Sequence, residues 1–264
     1  MDYEGYETIT IERQERVLRL TMNRPEALNA FNAQMHEEMS RLFTDIDMDP
    51  DTDVVVLTGA GRAFSAGGDM TWLQEMIDDP SVWDRTSTEG KRIVLSILEA
   101  RQPVIARING AAVGLGATVA LACDVTFAAE GALIGDPHVS VGLVAGDGGS
   151  ALWPALVGYA RAREFLYTGE LIEATRAAEI GLVNRAVPAE ELDEVVDAFV
   201  ARLANGPTVA IQGTKASINQ PLRDLAVTNL GLSLALEGIS NVSADHQEGI
   251  TAFKERREAR FTGR

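Results

Sequence analysis

His138 and Asp147 are the two side chains in this sequence best suited to move a proton. His138 stands in the segment Asp-Pro-His-Val-Ser, and Asp147 interrupts the glycine run that follows. An imidazole titrates near neutral pH, so it can act as a base and then as an acid in one cycle. A carboxylate beside its second ring nitrogen would fix the tautomer and stabilise the imidazolium. A structural histidine, with Asp147 capping the next helix, is the alternative.

Two glycine-containing segments could stabilise a negatively charged oxygen. They span residues 64–69 and 109–116, and each opens a predicted helix. The N–H groups of a first helical turn have no acceptor within the helix and lie at the positive end of its dipole. Two such turns aimed at one point would form an oxyanion hole. Glycines that only permit tight turns and close packing would give the same pattern.

Residue spacing argues against a nucleotide-binding glycine loop and against a metal site. Gly59 and Gly61 follow an apolar strand, but Phe64 stands where a dinucleotide-binding loop needs its third glycine. No Gly-Lys-Ser or Gly-Lys-Thr occurs, so a Walker-type phosphate loop is absent. The three histidines and one cysteine have no metal-ligand spacing, so we expect no metal site. We predict that His36 and His246 lie at the surface.

The net charge of -16 and the pI near 4.6 argue against nucleic acid as a partner, because phosphate binding needs clustered Lys and Arg. Cys123 is the only cysteine, so no disulfide can form within the chain. No stretch approaches the ~20 apolar residues of a transmembrane helix, and the first residues do not form a signal peptide. We therefore expect a cytoplasmic protein without a membrane partner.

Hydrophobic periodicity predicts an α/β fold. Alternating segments at 8–12 and 17–22 indicate a hairpin, and repeated strand, strand, helix units follow to about residue 150. Helices then dominate, which suggests a coiled core over 1–205 and a helical region over 206–264. The helix predicted at 223–244 carries more apolar surface than one core would absorb, so it should contact other subunits or else pack on its own core.

Several blocks of the chain resemble the crotonase, or enoyl-CoA hydratase/isomerase, superfamily. They are Asn-Arg-Pro-Glu-Ala-Leu-Asn-Ala at 23–30, Ser-Ala-Gly-Gly-Asp at 65–69, the segment 109–124, the segments 158–169 and 174–188, and Glu-Gly-Ile-Thr-Ala-Phe at 248–253. The resemblance implies a crotonase-type coiled core of ββα units and a homotrimer or dimer of trimers. It also implies an acyl-CoA thioester as substrate, with coenzyme A as part of that substrate and no separate cofactor.

The resemblance also implies roles for particular residues. The backbone N–H groups of Gly68 and Leu115 would be the oxyanion donors that stabilise an enolate. The coenzyme A contacts would come from the early loop, from the first glycine block and from a basic residue near the C-terminus, unless that residue is only part of a solvated helix end. These contact residues are Arg24, Ala27, Leu28, Ala66, Asp69 and Lys254, with Arg257 as a further candidate.

The resemblance fails at the acid and base positions. Hydratases of this family use two glutamates, and the matching positions here are Thr118 and His138. A threonine hydroxyl cannot act as a base near neutral pH, so Thr118 either orients a water or only fills space. His138, oriented by Asp147, would then carry the proton transfer.

Several functions therefore stay open. The first is an enoyl-CoA hydratase or isomerase in the broad sense, for which isomerisation needs only one base. The second is a hydrolase of carbon–carbon bonds, as in β-diketones, or of thioesters, in which His138 and Asp147 activate water. The third is a non-catalytic protein that binds coenzyme A. The acyl pocket should be lined from 70–89, including Trp72, Leu73, Met76 and Trp83.

Overall fold

The computed structural model describes residues 3–264 and has the predicted α/β architecture. Strand pairing within this range is mostly parallel, and the antiparallel hairpin stands at the start as predicted. The strands are β1 (Ile9–Gln14), β2 (Val17–Met22), β3 (Val54–Gly59), β4 (Ala63–Ser65), β5 (Val104–Ile108), β6 (Ala111–Val113), β7 (Val125–Ala129), β8 (Leu133–Gly135), β9 (Ile172–Glu173) and β10 (Arg185–Val187).

The helices pack around these strands and fill the C-terminal part of the chain. They are α1 (Ala33–Asp47), α2 (Met70–Asp78), α3 (Pro80–Glu99), α4 (Leu115–Ala122), α5 (Gly149–Thr168), α6 (Ala174–Glu179), α7 (Leu192–Ala204), α8 (Thr208–Asn241) and α9 (Ala244–Glu255). Two short 3-10 turns, Pro25–Ala27 and His138–Val141, lie between them.

The strands form two sheets, and each ββα unit contributes to both. The larger sheet has the order β1-β2-β3-β5-β7-β10, and the smaller has the order β4-β6-β8-β9. The first strand of a unit (β3, β5, β7) joins the larger sheet, and the second (β4, β6, β8) joins the smaller. The chain therefore coils from one sheet to the other. The loops that follow the second strand of each unit meet at one edge of the smaller sheet. This arrangement confirms the predicted coiled core.

At β3, β5 and β7 both faces of the larger sheet are buried, which explains why these strands are almost continuously apolar. In β3, Val55 and Leu57 face the main core, whereas Val54 and Val56 pack with Val196 of α7 on the other face. Along residues 3–264 no single helix has the length and apolarity to cross a bilayer, and α8 and α9 reach that threshold only if joined across a 70° bend.

Contacts with other residues fix the starts of two helices. Periodicity predicts a helix over 87–100, but α3 begins at Pro80, because the Asp79 carboxylate accepts from the N–H of Ser81 and proline suits the first helical position. α8 begins at Thr208, inside the predicted helical region 206–264, and runs through Pro221 into the helix predicted at 223–244. The buried Lys215 ammonium anchors this early part, 2.8 Å from Asp124 and within reach of the carbonyl oxygens of Ile97 and Gln102.

Candidate active site

A cavity of about 580 Å³ lies where the two glycine segments meet the helices α1, α2, α3 and α8. Its lining includes all four residues predicted for the acyl pocket: Trp72, Leu73, Met76 and Trp83. The predicted boundary near residue 205 falls between α7 and α8, but the cavity draws on both sides of it. The C-terminal part of the chain supplies Leu234, Glu237, Gly249, Ala252 and Phe253 to its wall.

The two glycine segments touch at Gly67 and Gly114. Both residues have positive φ, and a Cβ on Gly67 would lie 2.8 Å from the Val113 carbonyl oxygen, so only glycine fits there. Phe31 bonds to the residues on either side of Gly68, through Gly67 O at 2.7 Å and Asp69 N at 2.9 Å. The N–H of Gly68 takes part in neither bond.

Leu115 is the first residue of α4, so its N–H has no acceptor within the helix. Leu115 and Gly68 line the same cavity. A Cβ on Gly116 would lie 2.7 Å from Ser65, so the start of α4 is pressed against β4. The folded chain thus brings the two predicted oxyanion donors to one cavity.

His138 begins the short turn His138–Val141 and points into the same cavity. A Cβ on Gly114 would lie 3.6 Å from its Cε1 atom, so the ring stands beside the second glycine segment. The Nδ1–H donates to Asp136, whose side chain is fully buried. Sequence reasoning did not assign Asp136, although it lies only two residues before His138.

Asp147 faces the other nitrogen of the ring, with 3.5 Å between His138 Nε2 and Asp147 Oδ2. That separation exceeds the 2.7–3.2 Å typical of a direct hydrogen bond. The second carboxylate oxygen accepts from the Thr118 hydroxyl at 3.0 Å. Asp147 does not cap α5, whose cap residue is Gly148 and which has no side-chain cap. Thr118 therefore holds Asp147 and does not line the cavity.

Glu237 of α8 adds a third carboxyl group to the site, besides those of Asp136 and Asp147. Sequence reasoning did not identify it. It is 6% exposed and lines the cavity, and its Oε2 atom has no hydrogen-bond partner among the described residues. A Cβ on Gly146 would lie 2.6 Å from that oxygen, so the glycine beside Asp147 makes room for it. The only sequence signal is an acid within the apolar run Leu-Ala-Leu-Glu-Gly.

The buried groups alter one another's protonation. Burial disfavours the imidazolium of His138, but the charges of Asp136 and Asp147 outweigh it and raise the pKa of His138 well above its usual value. Burial also raises the pKa of Asp147, and the charge of Asp136 adds to this. Burial raises the pKa of Glu237 to about 8, so this carboxyl group is largely protonated at neutral pH.

A second buried histidine closes the far wall of the cavity. The prediction that His36 lies at the surface is wrong: it is 2% exposed, and its Nδ1–H donates to Glu89 at 2.8 Å. The centres of the Trp72 and His36 rings lie 4.9 Å apart. His246 is also fully buried, because α9 packs on the His138 turn.

The residues predicted to contact coenzyme A have two different settings. Ala27, Leu28, Ala66 and Asp69 line the cavity, whereas Lys254 lies on the exposed end of α9. The Arg24 guanidinium donates to Ala30 O and lies 3.2 Å from the Asp69 carboxylate. Arg257, at the cavity rim, pairs with Glu248 and Glu255. Both arginines already have carboxylate partners.

One cluster among residues 3–264 has the composition of a metal site. Donor atoms of Asp136, His138 and Asp147 lie within 4.8 Å of one another. The two carboxylates face opposite nitrogens of one imidazole. That arrangement suits proton transfer through the ring, and we interpret the cluster as an acid–base group.

Comparison with known proteins agrees with this architecture. A model of the enoyl-CoA hydratase/isomerase family matches residues 12–264. A crotonyl-CoA hydratase of Syntrophomonas wolfei is 34% identical over 97% of this chain and 98% of its own. The crystal structure of an enoyl-CoA hydratase/isomerase from Mycobacterium paratuberculosis superposes with a TM-score of 0.91 at 36% identity, covering 94% of this chain and 99% of that one.

A further similar structure is that of an enzyme with a different activity. It is a β-diketone hydrolase from the cyanobacterium Anabaena bound to (S)-3-oxocyclohexyl acetic acid, with a TM-score of 0.85 at 35% identity, covering 91% of this chain and 96% of that one. The coiled ββα core and its paired glycine segments define a crotonase-type protein. The chain belongs to the enoyl-CoA hydratase/isomerase family.

Proposed function

We propose that this protein is a carbon–carbon bond hydrolase that cleaves a small β-diketone. Water adds to one carbonyl carbon, the bond from that carbon to the shared central carbon breaks, and the central carbon takes a proton. The products are a carboxylic acid and a ketone, joined in one keto acid when the diketone is cyclic. The observation that carries the proposal is the 3.5 Å gap between His138 Nε2 and the Asp147 carboxylate.

A water beside that gap could hydrogen-bond to both groups. The raised pKa of Asp147 makes its carboxylate a stronger base than an ordinary aspartate, so it can accept the proton of the attacking water. His138, charged and held by Asp136, keeps the water in place and balances the negative charge of the adduct. The two residues act together: His138 orients the water, and Asp147 accepts its proton.

The remaining groups suit the second half of the reaction. Breaking the carbon–carbon bond releases an enolate, and its oxygen would lie at the N–H groups of Gly68 and Leu115. Glu237, protonated because its pKa is raised to about 8, can donate the proton that the central carbon needs. The proton taken from water then returns to Glu237 through the buried cluster. The proposed reaction needs no cofactor, and water is its second substrate.

Two of the basic residues predicted to contact coenzyme A are paired in a way that favours a substrate without it. Carboxylates already neutralise Arg24 and Arg257, whereas Lys254 is exposed. A phosphate-bearing ligand would have to displace those partners. The cavity, at about 580 Å³, has the size of small-molecule sites and is lined largely by apolar side chains.

The names of the relatives support a second candidate, hydration or isomerisation of an enoyl-CoA. In that case the thioester carbonyl would occupy the Gly68 and Leu115 site, and the nucleotide would lie near Arg24, Ala27, Leu28 and Ala66. His138 would move the proton in place of the two family glutamates. Isomerisation fits better than hydration, because one base is enough for it.

The two candidates can be separated by turnover of defined substrates. We would supply a 2,2-dialkylcyclohexane-1,3-dione, which cannot enolise between its carbonyls, and follow acid release in a pH-stat. Crotonyl-CoA and a 3-enoyl-CoA would be followed by loss and gain of conjugation, and thioester cleavage by free thiol. The expected result is keto acid from the dione, with kcat reduced roughly 10²- to 10⁴-fold in His138→Gln and Asp147→Asn.

The exposed Asp224→Asn is the matched control and should retain full activity, since it lies on the surface of α8. Turnover of crotonyl-CoA that depends on His138, without acid release from the dione, would replace the proposal with the second candidate. Tight coenzyme A binding without turnover of any substrate would identify a non-catalytic binding protein.

We also propose that the protein assembles as a trimer, or as a dimer of trimers, in the cytoplasm. Exposed apolar residues recur at every seventh position along α8, at Ile218, Leu225, Leu232 and Ile239. Two helical turns separate successive members, so they form one stripe on one face. A stripe of this length exposed to solvent supports contact with further copies of the chain.

A further inference from the structure

His246 is a buried imidazole that the proposed reaction does not use. It is 0% exposed and lies in the first turn of α9, where Ser243 caps the helix by accepting from its N–H. Its Nδ1–H donates to the carbonyl oxygen of Val141 at 2.7 Å, and its Nε2 has no partner among the described residues. Burial lowers the pKa of His246, so the ring is neutral at neutral pH.

Val141 is the last residue of the turn that His138 begins. The N–H of Leu143 donates back to His138 O at 2.9 Å, which makes the turn a closed unit. The hydrogen bond from His246 therefore connects α9 to the far end of a segment only four residues long. A shift of Val141 would carry His138 with it.

The contact between α9 and this turn leaves no free space. A Cβ on Gly249 would lie 2.6 Å from Val141 O, and a Cβ on Gly142 would lie 2.8 Å from the backbone of Asp245 and His246. Gly142 also has a positive φ of 74°. Backbone thus meets backbone on both sides of the His246 bond, and α9 cannot move without moving the turn.

The C-terminal segment in turn fastens the start of α9. The Asp245 carboxylate accepts from the N–H groups of Thr262 and Gly263 at 2.6 and 2.7 Å, and the N–H of Asp245 donates to Arg264 O. One turn later, Glu248 pairs with Arg257. Residues 257–264 therefore lie folded back along the helix that holds the His138 turn.

We propose that His246 is a positioning residue that sets the place of His138 relative to Asp147, with the C-terminal segment holding His246 in turn. The inference rests on the proposed function only in that it treats His138 and Asp147 as the catalytic pair. The hydrogen bond from the His246 Nδ1–H holds Val141 in place, and Val141 in turn holds the His138–Val141 turn. The turn sets the 3.5 Å separation between His138 Nε2 and the Asp147 carboxylate. His246 itself touches no reacting atom.

The test compares two replacements of His246 that differ in the donor. His246→Asn keeps an N–H group near the position of Nδ1, whereas His246→Leu keeps a similar volume and removes the donor. We expect kcat on the dione to fall roughly 10-fold or more in the leucine variant with KM little changed, because small displacements of catalytic groups are costly. The asparagine variant should retain most of the activity.

A second readout does not depend on turnover. The chain has three histidines, so nitrogen-15 NMR can follow each ring through a pH titration. The pKa of His138 should fall in His246→Leu, where the ring drifts from Asp136 and Asp147, and stay unchanged in His246→Asn. Asp136→Asn, which removes a charge that raises this pKa, is the positive control. Gly249→Ala should resemble His246→Leu, since it displaces Val141 by another route.

These readouts separate the two proposals. If the dione is not hydrolysed but the His138 titration follows the pattern above, the proposed function fails and the positioning role stands. If both His246 variants leave the His138 titration and kcat at the wild-type values, the positioning role is overturned. Equal losses in His246→Asn and His246→Leu would also overturn it, because the donor would then not be the cause.

Discussion

Two carboxylates, those of Asp136 and Asp147, favour the charged form of His138. The sequence reveals only part of their arrangement. Asp136 and Asp147 lie in the same stretch of chain as His138, so local sequence brings them near it. Their placement on opposite nitrogens of the ring is set by the turn at His138–Val141, which no periodicity indicates. The proximity of His138 and Asp147 was therefore predictable, but the closer contact of His138 with Asp136 was not.

The buried partners from distant parts of the chain could not be predicted. His36 finds Glu89 across 53 positions, and Glu237 reaches the site from the helical region near the C-terminus. His36 shares the buried face of α1 with Met39 and Phe43, and Glu237 shares the buried face of α8 with Leu230 and Leu234. Helical spacing therefore allowed both side chains to be buried. It did not reveal the groups from other parts of the chain that surround them.

The protonated state of Glu237 predicts an unusual dependence of stability on pH. Folding raises its pKa from 4.5 to about 8, so between these values the folded chain keeps a proton that the unfolded chain releases. The free energy of unfolding therefore falls as pH rises through this window. We expect Glu237→Gln to be more stable than the wild type at pH 8 by an amount on the order of 1–3 kcal/mol.

Chemical denaturation at pH 4.5 and at pH 8 measures this difference. The stabilisation by glutamine should be much smaller at the lower pH, where half of the glutamic acid is protonated in the unfolded chain as well. Asp224→Asn, at an exposed position of the same helix, should show no such change. A glutamine variant that is less stable than the wild type at pH 8 would mean that Glu237 is ionised and paired in the folded protein.

At the scale of elements, the start of α4 determines where one oxyanion donor lies. A Cβ on Gly116 would meet Ser65 at 2.7 Å, so Gly116→Ala should push α4 away from β4 and carry the Leu115 N–H with it. Overpacking of this kind typically costs about 1–3 kcal/mol. We expect a lower melting temperature and a larger proportional loss in kcat than in substrate binding.

Gly213→Ala is the matched control for that change. Gly213 also lies in a helix, but a Cβ there would meet nothing within 4 Å. Alanine should leave activity unchanged and stabilise the protein slightly, by about 0.5–1 kcal/mol. Full activity in Gly116→Ala would show that the position of the Leu115 amide is not critical.

Most elements followed from sequence because their patterns are local. The hairpin, the apolar strand β3 and the helical region after residue 206 appear where the sequence predicted them. The contact of Lys215 with Asp124, which anchors the early part of α8, was not predicted. Tertiary contacts that distant cannot be deduced from hydrophobic spacing.

For the molecule as a whole, the stripe on α8 predicts the assembly state. Leu232 and Ile239 are 63% and 69% exposed, so charges placed there should leave the single chain folded. We expect the wild type to sediment as a trimer or larger, and Leu232→Asp with Ile239→Asp to sediment as a monomer with unchanged far-UV circular dichroism. An unchanged sedimentation coefficient would place the interface elsewhere.

Leu236 and Glu237 are neighbours on α8, yet one faces solvent and the other faces the cavity. If the outward face joins subunits, the same helical turn supports both assembly and catalysis. Diluting the protein to the concentrations used in kinetic assays could then loosen the wall that holds Glu237. Specific activity would fall with dilution, and a rate measured at one protein concentration would understate the rate in the cell.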